Sequence, residues 1–205
     1  WNMRMKPPKT AAGGSKMDFG ASIAPQVMPG DYTLKLKVAD KEYSQPVKVV
    51  HDPSSPFTLA EREQQHKSAM ELYGMHEQLA KNVADIAEKQ KLLKDNMDKV
   101  KDPKVKKQMQ EYYDKLESLR AELIPTKTTS IFADEERLRE DITQVYSSIC
   151  NTEAAPNNLQ LERVKSLQQK VNEADQKNAT ISKQYEDRIR AALVKEGLIK
   201  EGVKM

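Results

Sequence analysis

The chain has a single cysteine, Cys150, which excludes an internal disulfide and a thiolate metal cluster. Such poverty suits a reducing cytosol and bacterial export equally. No apolar run approaches the ~20 residues that a membrane-crossing helix needs, and residues 1–20 lack the apolar core of a signal peptide. Neither sign of charge dominates: 34 Lys+Arg stand against 31 Asp+Glu, a net +3. An excess so small and so spread leaves no electrostatic footprint for nucleic acid. Aromatic residues make up only 5% of the 205 residues, with 38% hydrophobic and 32% charged. That balance suits long helices with one buried stripe better than a large globular core.

Two periodicities divide the chain. Trp1, Met3 and Met5 alternate with Asn2, Arg4 and Lys6, a period of two that predicts a strand with Trp1 as an anchor of the β core. An aperiodic stretch holding Pro7, Pro8, Gly13, Gly14 and Gly20 follows. Pro29-Gly30-Asp31 marks a turn, after which Tyr32, Leu34, Leu36 and Val38 alternate with Thr33, Lys35 and Lys37 as a half-buried strand. Asp40-Lys41 can turn it back into Glu42–Val50, where Pro46 implies an edge or a bulge. Three or four strands in residues 1–55 are fewer than a sandwich needs. With the abrupt opening at Trp1, this predicts a C-terminal piece of a longer protein.

From residue 56 the period becomes helical. Thr58-Leu59-Ala60-Glu61 fits a capping box, and the helix it opens can run to about Lys101. Leu79, Ile86, Leu93 and Val100 recur every seven residues, interleaved with Val83, Gln90 and Met97, with Gln90 the one polar interruption. Asp102-Pro103 supplies an N-cap and a first-turn proline for a second helix with Val105, Met109, Tyr112, Leu116, Leu119 and Leu123 on one face. Pro125 ends it. A third helix carries Leu138, Ile142, Val145 and Ile149. A fourth carries Val164, Leu167, Val171, Ala174, Asn178, Ile181, Tyr185 and Ile189, with a possible kink near Asn178-Ala179-Thr180 and Gly197 just beyond its end. The expected fold is mainly α: a small β module over residues 1–55 at one end of an elongated antiparallel bundle of about four helices over residues 56–205.

Reactive constellations are absent from the pattern. His66 and His76 lie ten residues apart, not four, and His51 stands alone, so none pairs as metal ligands on one helical turn. The sole Glu-x-x-His match, Glu63 to His66, has no second copy to complete a di-iron site. Glu61/Glu63, Asp134/Glu135/Glu136 and Glu140/Asp141 sit at helix starts or on polar faces, where dipole and i,i+4 pairing explain them. Cys150 has no evident histidine partner, and Ser147-Ser148 lack an elbow context. The run Lys99, Lys101, Lys104, Lys106 and Lys107 is diluted by Asp98 and Asp102 at an exposed corner, and solvation is favoured there over phosphate or anionic-glycan contact. Tyr112-Tyr113 suggest a stacking platform, although Tyr112 falls on the apolar stripe. No catalytic, cofactor or metal residue is assigned, and no cofactor is expected.

Three stretches carry a family likeness: Trp1-Asn2-Met3-Arg4; Pro29-Gly30-Asp31-Tyr32-Thr33-Leu34-Lys35-Leu36, on through Tyr43-Ser44-Gln45-Pro46-Val47 to Asp52-Pro53; and Val145-Tyr146-Ser147-Ser148 with Ala154-Ala155-Pro156. They resemble the C-terminal region of bacterial sortilin-like proteins with BNR (Asp-box) repeats, in which a β-propeller precedes an immunoglobulin- or fibronectin-like sandwich and a helical tail. These proteins are often labelled glycosyl hydrolases. The chain departs from the pattern at Asp40-Lys41, where the hairpin usually carries glycine, and at Ser54, where an arginine follows Asp-Pro. The resemblance implies a partial immunoglobulin-like β module, export from a bacterium, an upstream propeller of the same chain as partner, and a non-enzymatic scaffold or interaction role with protein contacts through the bundle. The alternatives are an ancillary, glycan-contacting region of a carbohydrate-processing hydrolase and a stand-alone coiled-coil adaptor.

Overall fold

The computed structural model describes residues 1–13, 23–126 and 136–202. It is mainly helical, with one antiparallel hairpin and four helices: β1 (Gly30–Val38), β2 (Lys41–Val49), α1 (Leu59–Met97), α2 (Pro103–Leu123), α3 (Leu138–Cys150) and α4 (Asn158–Lys195).

The bundle is three helices thick at any level. α1 has 39 residues and α4 has 38, rods of about 55–60 Å at 1.5 Å per residue. α2 with 21 residues and α3 with 13 lie end to end as the third rod. Each packs on both α1 and α4, and they scarcely touch one another. Every stripe residue expected on α2 except Val105 is buried, and Leu72, Leu79, Ile86, Leu93, Leu167, Val171 and Ile189 complete the shared core. On α3 the buried position is Tyr146, not Val145. On α4 Ser182 takes the inner place beside a half-buried Ile181.

Local chemistry fixes the helix ends. Thr58 and Glu61 form the reciprocal capping box, with Thr58 N–H donating to Glu61 at 2.7 Å. Asp102 caps α2 through the Lys104 amide at 2.8 Å, ahead of Pro103. Asn157 and Gln160 form a second capping box at α4. At its far end Gly197 has φ +71°, and the Leu198 amide returns to the Leu193 carbonyl at 2.9 Å. That left-handed turn favours glycine and closes the helix. α4 is one continuous helix through Asn178–Thr180.

The N-terminal segment departs from expectation. Trp1–Lys6 is no strand: one bridge joins Arg4 to Gln26, and Met3 sits at φ +56°. Trp1 is 60% exposed and leans on Tyr32 with ring centres 5.6 Å apart, so it anchors no β core. The described residues of the aperiodic stretch, 7–13 and 23–27, instead lie against the bundle. Pro8, Ala11, Ala24 and Pro25 are buried, the Arg139 guanidinium donates to the Ala11 carbonyl, and the Tyr146 hydroxyl donates to the Ile23 carbonyl at 2.9 Å.

The described sheet therefore holds two strands, not three or four. Val38 pairs with Lys41, so the turn is Ala39-Asp40 and Lys41 already belongs to β2. Pairing alternates between narrow and wide sites from that closing pair outward. Thr33–Pro46 therefore falls on a wide pair, where proline's missing N–H faces away from the partner strand. Ala39 has φ +52°, a conformation in which a Cβ costs about 1 kcal/mol. Ala39→Gly should relieve that strain and stabilise the hairpin by about 0.5–1 kcal/mol. Slower amide exchange for the strand residues of β1 and β2, with the bundle unchanged, is the expected result.

Candidate functional site

Two places in the fold hold chemistry that local packing does not explain away: the outer face of the hairpin and a polar seam inside the bundle.

The register puts Tyr32, Leu34, Leu36 and Val38 on one face of the hairpin, opposite Val47, Gln45, Tyr43 and Lys41. Periodicity predicts that this face is half-buried. In the structure Leu34 is 41% exposed, Leu36 61%, Val38 54% and Tyr43 55%, and among the described residues no helix covers them. The reverse face is ordinary wet surface, with Lys35 bridging to Glu42 at 2.9 Å. A two-stranded ribbon with an open apolar face is marginally stable by itself. Leu59, Leu159 and Leu161 are also exposed, at the helix starts on the same end of the bundle.

The polar seam runs between α1, α2 and α4. Asp175 accepts from Gln78 and Asn82, both at 2.6 Å. Asn178 donates to Asn82 at 2.9 Å and to Asp85 at 2.8 Å. Lys89, its side chain 8% exposed, bridges Asp85 at 2.7 Å and Glu186 at 3.0 Å and donates to Ser182 at 2.7 Å. The Tyr112 hydroxyl reaches Glu186 at 2.8 Å while its ring stacks on Tyr185. Burial pushes the Tyr112 phenol far above its ordinary range. Every charge in this seam has a partner, which is the condition for a buried network to specify helix register without a large penalty. The heptad reading captured Gln90, which donates to Glu117 at 2.8 Å. It missed Lys89, Asn82 and Ser182, because a polar residue beside a stripe carries no sign of burial.

The residues weighed from sequence scatter across the fold. His51 Nε2 lies 2.9 Å from the Phe57 carbonyl. His76 is fully buried edge-on against Tyr146, ring centres 5.3 Å apart. His66 is half-buried, and burial lowers its pKa, helped by the neighbouring Arg62 charge and opposed by the Gln26 backbone. Cys150 is buried beside Tyr146 and its thiol is pushed up to about 11, chiefly by burial. A thiol so poorly ionised is a weak nucleophile. Ser148 donates to the Val145 carbonyl at 2.8 Å, and Ser147 accepts from Asn151 at 3.2 Å. Tyr112 is a core residue and Tyr113 is half-buried. Asp141 clasps α3 to α4 through Arg163 at 2.8 Å and Lys170 at 3.5 Å. Glu140 abuts Arg139, yet burial outweighs that charge and raises its pKa. Asp134 and Glu135 lie outside the described residues. Lys99, Lys101 and Lys104 are exposed, while Lys106 meets Asp98 at 3.4 Å and Lys107 meets Glu111 at 3.9 Å.

No family model, curated protein or solved structure matches the chain. Among the described residues no group of three or more His, Cys, Asp or Glu could hold a metal ion, and no helix is long and apolar enough to cross a membrane. An open groove of about 720 Å³ lies between α2 and α4, floored by Leu119 and Ile181 with Lys115, Glu122 and Lys177 on its rim.

His66 gives the fold a directional pH dependence. Its folded-state pKa lies below the ordinary 6.5, so the neutral ring is the form the fold prefers. That stability is present above pH 6.5 and is lost as pH falls through the depressed value. Between pH 7.5 and 5.5 the melting temperature should fall more for the native chain than for His66→Asn, as scanning calorimetry would read.

Proposed function

We propose that this chain is a non-catalytic accessory module, for scaffolding or interaction, at the C-terminus of an exported sortilin-like β-propeller protein. The open apolar face of the hairpin supports this reading most directly. Leu34, Leu36, Val38 and Tyr43 form a sheet face that, in an antiparallel β module, packs on a second layer. The bundle supplies no such layer, so strands from elsewhere in a parent chain are its natural cover. The resemblance in Trp1–Arg4, Pro29–Leu36 and Asp52-Pro53 names the kind of parent, and export from a bacterium follows from that parent. The role is non-enzymatic in this reading because the thiol is inert, the histidines are apart and the clasping carboxylates are tied to cations. Protein partners would meet the module through the exposed helix faces.

The deciding experiment is to sequence the encoding gene upstream of the Trp1 codon and to footprint the full product with hydroxyl radicals. Repeated Ser-x-Asp-x-Gly-x-Thr-Trp boxes upstream are expected, with Leu34, Leu36 and Tyr43 protected in the full product and reactive in the present chain. An upstream stop codon, or a longer product in which these side chains stay as reactive as before, would overturn the reading and favour a stand-alone adaptor. The present chain should also give no turnover of aryl glycosides above buffer. Turnover abolished by a single carboxylate substitution would instead favour the hydrolase alternative.

A further inference from the structure

The hairpin meets the bundle around a cavity of about 200 Å³, walled by the N-terminal residues ahead of β1, the end of β2 and the residues after it, the first turns of α1 and the α3–α4 corner. Arg62 is one wall and is 5% exposed. A cation there is unusual on two counts. It lies in the opening turns of α1, where the helix dipole disfavours positive charge. Among the described residues it also makes no ion pair, although a buried guanidinium normally sits against a carboxylate. Its bond to a side chain goes to Gln65 Oε1 at 2.7 Å, and Gln65 is itself held by the Ile149 carbonyl at 2.7 Å. Asp52 and Glu153 line the same cavity. Each is braced by a neighbour: Asp52 accepts from the Ser54 amide at 2.8 Å and Glu153 from the Ser55 hydroxyl at 3.3 Å. One cation and two anions thus border one small space, each tied to its own support and none paired with another.

We propose that this cavity binds a compact zwitterion, an α-amino acid with a small side chain. The carboxylate would lie on the Arg62 guanidinium, whose planar fork matches it. The ammonium would lie between Asp52 and Glu153. A plain anion would meet two like charges there, and a plain cation would meet Arg62. The volume is below the 300–1,000 Å³ usual for drug-sized ligands, so a side chain of few carbons fits, set against Val27 and Val49. This assignment is independent of the propeller reading and does not require an upstream segment.

The test titrates the intact chain with glycine and L-alanine to 50 mM, following thermal melting and amide NMR shifts. Acetate and methylamine serve as half-ligands, and L-tryptophan as an oversized one. A melting temperature that rises with ligand concentration for alanine and not for either half-ligand is expected, with shifts at Arg62, Val49 and Glu153. Glu153 is at the solvent edge, so Glu153→Gln should fold and weaken binding at least about tenfold through loss of a charge-assisted bond. Arg62→Lys, checked for folding by circular dichroism, should weaken it too. No response to alanine, an equal response to acetate, or unchanged affinity in Glu153→Gln would each overturn the assignment.

Discussion

Urea melts of Leu93→Ala and Leu116→Ala should each show a loss of about 2–5 kcal/mol, the cost of deleting a buried leucine and leaving its cavity. Both side chains are fully buried, Leu93 on α1 and Leu116 on α2. Leu36→Ala on the hairpin is the control of equal chemistry and opposite burial. At 61% exposure it removes little from a core, and Lys104→Ala at an exposed corner should change stability by less than about 0.5 kcal/mol. A common loss for all four would mean that the helical stripes do not form the hydrophobic centre.

The contrast between Leu116 and Leu36 also marks how far the sequence could be read. Helical stripes are self-reporting: a residue every three or four positions must face something, and three rods close around one another. Leu79, Leu93, Leu119 and Leu167 therefore fell where periodicity put them. Caps at Thr58 and Asp102 were equally legible, because capping is settled within four residues. A two-residue period fixes which side chains share a face and says nothing about whether a second layer covers it. Leu34 and Leu36 were correctly placed on one face and wrongly expected to be half-buried. Trp1 failed differently. Six alternating residues suggested a strand, but Met3 at φ +56° breaks the extended geometry and a single bridge is all that forms.

The N-terminal contacts with the bundle and the polar seam were illegible for a shared reason. Ala11 and Ile23 have no period, and their places are set by Arg139 and Tyr146, more than 100 residues later. Asn82, Asp85 and Lys89 look like a wet face of α1 until Asp175, Asn178 and Ser182 of α4 are laid against them. Partners separated by 93 to 96 residues leave no local signature. The junction cavity belongs to the same class, since Arg62 and Glu153 come together only when α1 closes on the α3–α4 corner.

Lys89→Ala is the second large effect, and it separates a structural seam from decorative surface pairing. Exposed ion pairs are worth 0–1 kcal/mol, and a polar face of α1 would return a value in that range. Lys89 is different: it joins Asp85 on its own helix to Glu186 and Ser182 on α4 while its side chain is 8% exposed. Removing it leaves Glu186, 25% exposed, facing Asp85 without a counter-charge. A fully buried broken pair costs about 3–5 kcal/mol. Asp85 retains 44% exposure and with it much of its hydration, so a loss of about 2–3 kcal/mol is expected. Lys89→Met keeps the aliphatic stem and should lose nearly as much, because charge balance and not packing is what fails. Adding Glu186→Gln to Lys89→Met removes the uncompensated anion and should recover about 1 kcal/mol or more, a coupling that only neighbours in one network give. Urea melts of the two single variants and the double variant would measure it. Strict additivity would show that Lys89 and Glu186 act as separate surface charges and that register is set by the apolar stripes alone.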